Sequence, residues 1–452
     1  MNNYGTIWNP SGIGTVYKRR MKTLLIVGDG RMDKERQALL KVQSDYFYQK
    51  TCKVIPNGVQ TLSKMPSKHV SGVYPMFIER AAGAYTYDGD NNRYVDFPCG
   101  LGSIVLGYAN GQVNEAVKAR LDNGILFSLP NKLETELAEK ICEIIPSAEM
   151  VRFLKTGSEA TSAAVKLARA YSGKGNILCC GYHGWHNWYN WTTPKNKGAR
   201  FSGTYKFGYN DIYGLTKLLR GTGDVAAIIM EPYVLEEPQD GFLRGVRKLC
   251  DETQTVLIFD EVVTGFRTEG LSAQAMYGVT PDLTCIGKAM ANGLPISAVC
   301  GRADIMRELE GDCFVSSTFG GELASIVAAL ETIKIIQTKP VIKTIYTAGR
   351  TLKDAFNEFF AGYDATCIGH PNRTFFKFPT EAHKALFWQE CLMRGVFFGY
   401  AQFTNYAHKP QIMKDVVSAM RLASQTVIDH WDAPENAVEG KIPEETFRLV
   451  VT

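Results

Sequence analysis

Between about residues 101 and 337 the chain alternates helix-like stretches with short apolar runs at 151–154, 177–180, 225–230, 256–259 and 283–286. Runs this short and this largely apolar, separated by helical patterns, predict buried strands. The resulting architecture is a parallel or mostly parallel sheet covered by helices. Such sheets take their ligands at the carboxyl ends of the strands. The alternation therefore says both what the middle of the chain folds into and where to look for chemistry.

The chain's 452 residues exceed what one core organises, since single cores stop growing at roughly 250–300 residues. Two structural domains are expected. Around residues 35–54 the apolar residues recur at helical spacing until Pro56-Asn57-Gly58 breaks the pattern. Two β-rich runs, 84–87 and 93–97, flank the turn-forming residues 88–92 and predict a hairpin. After a helical stretch near 324–337, the tail holds further helices, including one over about 412–431, and short strands. The expected division is an N-terminal arm and part of a small domain in 1–100, a large domain in 101–337, and the rest of the small domain in 338–452.

Composition narrows the functional classes. Fifty Lys and Arg stand against 46 Asp and Glu, a net charge of +4 that argues against a dedicated nucleic-acid binder. Eleven cysteines with no CxxC pair, two of them adjacent at Cys179 and Cys180, read as neither a disulfide framework nor a zinc site, and fit a reducing cytoplasm. Arg19, Arg20 and Lys22 precede the run Leu24-Leu25-Ile26-Val27, which is too short for a signal-peptide core, so no export is expected. No segment approaches the ~18 consecutive apolar residues of a membrane helix. The first twenty residues read as an irregular arm or a false start before Met21.

Five motifs stand at the predicted strand ends. Lys288 follows the run 283–286 and precedes Asn292-Gly293-Leu294-Pro295. An amine there forms an imine with a carbonyl cofactor if its surroundings keep it neutral; a lone lysine is otherwise a solvated surface residue. Asp260 ends the run 256–259 and so reaches the same sheet edge, where a carboxylate can pair with a protonated pyridine nitrogen. It can also cap a helix or bind Mg²⁺ in a nucleotide site, but the sequence has no GxxxxGK[ST] loop to go with the latter. Thr156-Gly157-Ser158-Glu159 opens the helical run 162–171, offering backbone N–H groups and a hydroxyl to a phosphate, or simply capping the helix.

The fourth motif is Gly181-Tyr182-His183-Gly184, after the run 177–180. Tyr182 can stack on a flat ring and His183 can hydrogen-bond beside it, or both form a buried aromatic corner. The loop after it, with Trp185, Trp188, Tyr189 and Trp191, suits either a substrate-covering lid or a packed interface. The fifth, Ser316-Ser317-Thr318-Phe319-Gly320-Gly321, caps the next helix or reaches a phosphate. Gly28-Asp29-Gly30 imitates a dinucleotide fingerprint but lacks the third glycine, with Asp33 in its place, so a nicotinamide cofactor is not expected. Nor is a catalytic metal, since the seven histidines include no HExxH.

Taken in order, Gly157-Ser158-Glu159-Ala160, Tyr182-His183-Gly184, Asp260-Glu261-Val262, Gly287-Lys288 and Ser317-Thr318-Phe319-Gly320-Gly321 resemble the cofactor motifs of class III aminotransferases, most closely glutamate-1-semialdehyde 2,1-aminomutase-like proteins. The resemblance covers about residues 37–431. It implies an α/β, fold type I transferase dependent on pyridoxal 5'-phosphate (PLP), with a mostly parallel seven-stranded sheet in the large domain and a small α+β domain. It implies that Lys288 is the Schiff-base lysine and proton shuttle, that Asp260 sits on the pyridine nitrogen, and that Val262 and Tyr182 lie against the two ring faces. Gly157 and Ser158 would bind the phosphate together with Thr318 from the neighbouring subunit of a homodimer. His183 joins the cofactor-binding set, and Glu231 stands near the cofactor's hydroxyl side.

Three positions depart from the aminomutase pattern on the substrate side: Lys64 where the family has a carboxylate-binding arginine, Leu101 in place of a tryptophan, and Tyr400 in place of an acidic residue. Lysine offers a point charge where arginine offers a fork. The expected function is amino-group transfer or migration on an amino acid, an aminosugar or another small amine. A decarboxylase or lyase of the same fold, acting on an amino-acid moiety that can be nucleotide-linked, is the alternative. A noncatalytic PLP-fold binding protein is the third reading, and it leaves Lys288 and Asp260 without a task.

Overall fold

The computed structural model describes residues 48–193, 196–239 and 241–444. Residues 1–20 and Gly28-Asp29-Gly30 lie outside these, as does most of the helix expected over 35–54, of which residues 48–52 are helical. The predicted hairpin is present. Strand β1 (Ile78–Ala82) pairs with β2 (Tyr85–Asp88), which turns through 89–92 into β3 (Arg93–Asp96). Helices α1 (Gly111–Leu121) and α2 (Lys132–Ile144) lead into the central sheet.

That sheet begins with β4 (Met150–Leu154), followed by helix α3 (Gly157–Ser172), β5 (Asn176–Cys180) and β6 (Thr204–Lys206). Helix α4 (Ile212–Thr222), β7 (Val225–Met230), α5 (Phe242–Thr253), β8 (Val256–Glu261), β9 (Leu283–Ile286) and β10 (Ser297–Gly301) complete it. The seven strands lie in the order β4-β10-β9-β8-β7-β5-β6, and β10 alone runs antiparallel to both its neighbours. The sheet is thus mostly parallel, with helices on both faces. Alternation along β8 shows why: Val256 and Ile258 pack with Ala160 and Ala164 of α3, while Leu257 and Phe259 pack with Leu243 and Val246 of α5. Each of the four buried β8 side chains contributes about 1.5–3 kcal/mol relative to exposure.

After α6 (Leu323–Thr338) and α7 (Val341–Phe359), the tail forms β11 (Thr366–His370), β12 (Arg373–Lys377), α8 (Glu381–Met393), β13 (Val396–Phe397), β14 (Gln402–Phe403) and α9 (Pro410–Asp429). It packs onto the N-terminal hairpin: β13 pairs with β3, and Tyr94, Val95 and Phe97 share one buried cluster with Phe356, Phe387, Leu392 and Met420. Arg267, 1% exposed, donates to the carbonyls of Gly102 at 2.9 Å, Ile104 at 2.5 Å and Thr404 at 2.8 Å, and so ties the loop after β8 to both of these flanking segments. No helix among the described residues is long and apolar enough to cross a membrane.

Candidate active site

Five strand ends deliver side chains to one cavity of about 280 Å³. Period-two alternation puts Asp260 on the same sheet face as Val256 and Ile258, beneath α3. Glu231, directly after β7, follows the parity of Ala227 and Ile229 and emerges on that face too. Gly157 and Ser158 after β4, Tyr182 and His183 after β5, and Lys288 after β9 close the ring. Lys288 stands at φ 41°, a left-handed conformation that side-chain-bearing residues rarely adopt; such strain persists where the surroundings impose it, and it gathers at functional sites.

The acidic partner is rigidly held. Asp260, 4% exposed, shares a 2.8 Å hydrogen bond through Oδ2 with His183 Nδ1, and its Oδ1 accepts the Val262 N–H at 3.1 Å. His183 Nε2 lies 3.0 Å from the Cys180 carbonyl, which only accepts, so that nitrogen carries a proton. His183 in turn stacks on Trp188 at 6.1 Å, and its carbonyl accepts from Thr161 of α3 at 2.9 Å. Glu261, of opposite parity, leaves the site altogether: it accepts from Thr264, Ala273 and Gln274 and braces the following loop.

At the N-terminus of α3, Thr156 and Glu159 form a reciprocal capping box, so the expected cap is real. The box leaves the backbone N–H groups of Gly157 and Ser158 without a hydrogen bond among the described residues. A side chain does not fit at Gly157, whose Cβ would stand 2.8 Å from Val262 Cγ1, or at Gly184, whose Cβ would stand 2.2 Å from Ser158 Oγ. The donor set fits pyridoxal phosphate: unpaired N–H groups at a helix N-terminus suit the phosphate, a held carboxylate suits a cationic ring nitrogen, and a lysine amine suits the aldehyde.

Tyr182, Val262 and Tyr400 line the same cavity. Lys64, Leu101 and Thr318 do not. Lys64 is exposed on a short turn, Leu62–Lys64, and Leu101 is locked at φ 60° in a tight turn whose Ser103 reaches the cavity instead. Thr318 is exposed, and the helix-capping alternative for its motif passes to Glu322, whose carboxylate accepts from Ala324 and Ser325 at the start of α6. The aromatic loop divides: Trp188 and Tyr189 are buried beside His183, while Trp185 is exposed.

Sequence reasoning missed Lys155, Phe375 and Arg373. Lys155 adjoined a motif already in view, and its Nζ pairs with Glu322 at 3.0 Å. Arg373 and Phe375 come from β12, where no glycine or hydroxyl signature announces a site.

A family model described as aminotransferase class-III matches residues 67–366. Glutamate-1-semialdehyde 2,1-aminomutase of Syntrophobacter fumaroxidans (strain DSM 10017 / MPOB) is 36% identical over 401 residues, covering 80% of this chain and 92% of that protein. The 3-aminobutyryl-CoA aminotransferase of Cloacimonas acidaminovorans (strain Evry) is 36% identical over 322 residues, 70% of this chain and 78% of that protein. Among solved structures, the FumI protein of Sphingopyxis sp. MTA144, in its PLP internal aldimine form, superposes with a TM-score of 0.82 at 28% identity, covering 88% of this chain and all of that one. The chain belongs to the class-III aminotransferases, PLP-dependent enzymes of fold type I with aminotransferase or aminomutase activity.

Proposed function

We propose that this protein moves an amino group from an amine donor to a carbonyl acceptor, with Lys288 as covalent anchor of the cofactor and as the base at the reacting carbon. When bound, pyridoxal phosphate supplies the aldehyde that exchanges amines and a ring that accepts electrons. The chain's own residues supply the rest. Lys288 Nζ would take and return the proton, Asp260 would hold a negative charge toward the ring nitrogen, Tyr182 and Val262 would flank the ring, and Gly157 and Ser158 would bind the phosphate. The convergence of Lys288 with the His183-held Asp260 on one cavity supports this reading most directly. Transfer between two molecules is favoured over migration within one because Tyr400, which lines the cavity, replaces the acidic residue expected of the aminomutase pattern.

The reading extends to a cytoplasmic homodimer. Thr318 and the apolar side chains Phe127, Leu129, Phe314 and Phe319 are exposed together, since the Leu323 N–H donates to the Ile125 carbonyl at 2.8 Å and sets the two segments side by side. A second copy would cover this patch and receive Thr318 at its phosphate. All eleven cysteines are unbonded, which suits a reducing compartment. A large unit over 101–337 and a small unit from both ends accord with the buried cluster shared by residues 94–97 and 348–427.

The test is borohydride reduction of the holoprotein followed by peptide mass spectrometry, run beside a screen of amino donors for their carbonyl co-products. The cofactor adduct is expected at Lys288 and absent in Lys288→Ala. An adduct on another lysine would overturn the anchor, and CO₂ release without carbonyl co-product would make the protein a lyase.

A further inference from the structure

The cavity wall holds a charged pair that none of the five motifs contains. Arg373, 8% exposed, donates from Nη1 to Glu231 Oε2 at 2.9 Å, and Glu231 Oε1 accepts the Tyr182 N–H at 3.1 Å. Burial alone would push the Glu231 carboxyl up, but Arg373, the Tyr182 N–H and His183 outweigh it and hold the carboxyl below its ordinary range. Glu231 is therefore an ionised brace. It engages only one corner of the guanidinium.

Among the described residues the opposite edge has no protein partner. Nε is buried without a hydrogen bond, and Nη2 makes none among the described residues. Leaving a buried donor unpaired is costly, and more so for a charged group. The Nε–Nη2 edge is also the fork that meets a carboxylate or phosphate with two parallel N–H···O bonds. The ring centroids of Phe375 and Phe403 lie 5.4 and 6.0 Å from the guanidinium carbon, and Tyr400 packs on Phe375 at 5.4 Å, so aromatic rings lie beside the group. The nearby Lys155 is occupied by Glu322.

We infer that Arg373 is the specificity-determining residue of the substrate site, binding an anionic oxygen group, carboxylate or phosphate, on the substrate amine while Glu231 fixes the guanidinium through Nη1. This rests on the aminotransfer reading for the identity of the ligand as substrate. An uncharged amine leaves the fork unpaired and is selected against by that deficit.

Isothermal titration of the holoprotein with succinate, inorganic phosphate and neutral succinamide tests the assignment without turnover. Two variants accompany the wild type: Arg373→Lys, which keeps a charge beside Glu231, and the double variant Arg373→Met with Glu231→Gln, which strands no carboxylate. The wild type is expected to bind succinate or phosphate and not succinamide, with at least tenfold weaker anion binding in both variants. The anion that binds tells which source the substrate uses. Equal anion affinity in wild type and variants, or no anion binding by the wild type, overturns the inference. In a second measurement, the ratio of kcat/KM for anionic over neutral amine donors should fall at least tenfold in Arg373→Lys; an unchanged ratio also overturns it. If the wild type converts no amine, the aminotransfer reading fails while the titration still decides Arg373.

Discussion

Asp260 acts only if its charge stays where the strand delivers it, and His183 is what keeps it there. The imidazole is fixed at Nε2 by the Cys180 carbonyl and shares its Nδ1 side with Asp260 Oδ2, so the carboxylate cannot rotate without breaking a buried hydrogen bond. Removing the charge should cost more than removing its support. Asp260→Asn is expected to lower kcat/KM by about 10²–10³, the usual loss when a preorganised electrostatic group is removed. His183→Asn cannot span both partners and should lower it by about tenfold, corresponding to one net hydrogen bond to a charged group. Steady-state kinetics on any accepted amine checks the order; equal losses would mean that His183 does more than orient. Both residues were visible in the sequence because Asp260 directly follows one apolar run and His183 stands three residues after another, but their mutual bond was not, since 77 residues separate them.

At the scale of elements, the N-terminus of α3 and the loop after β5 are built against each other. Gly184 sits at φ 98°, and a Cβ there would meet Ser158 at its Oγ and at its backbone Cα, 2.9 Å away. Gly184→Ala therefore strains its own backbone and pushes at once on Ser158, which is proposed to bind the phosphate. The expected result is a loss of at least ~1 kcal/mol in stability together with at least tenfold weaker PLP affinity, read by thermal unfolding and equilibrium dialysis. A stability loss with unchanged affinity would separate that loop from the cradle. Parallel strands buried on both faces announce themselves as apolar runs, and four of the five that were legible are of that kind; the fifth, β4, is a half-buried edge strand paired antiparallel with β10. Two strands were not legible. β6 is a three-residue edge strand, and β10, Ser297-Ala-Val-Cys-Gly301, consists mostly of small residues directly after a Gly-Leu-Pro turn and runs against the others. Arg373 stayed hidden for a related reason: its partner Glu231 is 142 residues away, and only the fold of the tail brings β12 to the cavity.

For the whole molecule, stability depends on how the two chain ends lock to the middle, and that lock contains two groups of opposite response to acid. His408 is buried, stacked on Phe97 at 4.6 Å, and burial lowers its pKa to about 3. Asp96 accepts from the Cys99 N–H at 2.7 Å and Tyr108 Oη at 3.1 Å, yet burial raises its pKa to about 6. The unfolded histidine protonates below about 6.5 while the folded one does not, so its contribution is full above that pH and is lost as pH falls toward 3. The folded aspartic acid keeps its proton up to about 6 while the unfolded one releases it near 3.8, so its contribution is present below that value and is lost as pH rises to 6. Between pH 4 and 6 each changes stability by about 1.4 kcal/mol per unit, in opposite directions, and in the native protein they offset one another. Single variants should unmask them. Relative to wild type, His408→Asn should gain stability on going from pH 6 to pH 4, and Asp96→Asn should lose it, each by up to about 3 kcal/mol, while groups common to all three proteins cancel from the difference. Urea unfolding at pH 4, 5 and 6 measures both; parallel curves for the three proteins would show that these buried groups titrate alike in the folded and unfolded chains.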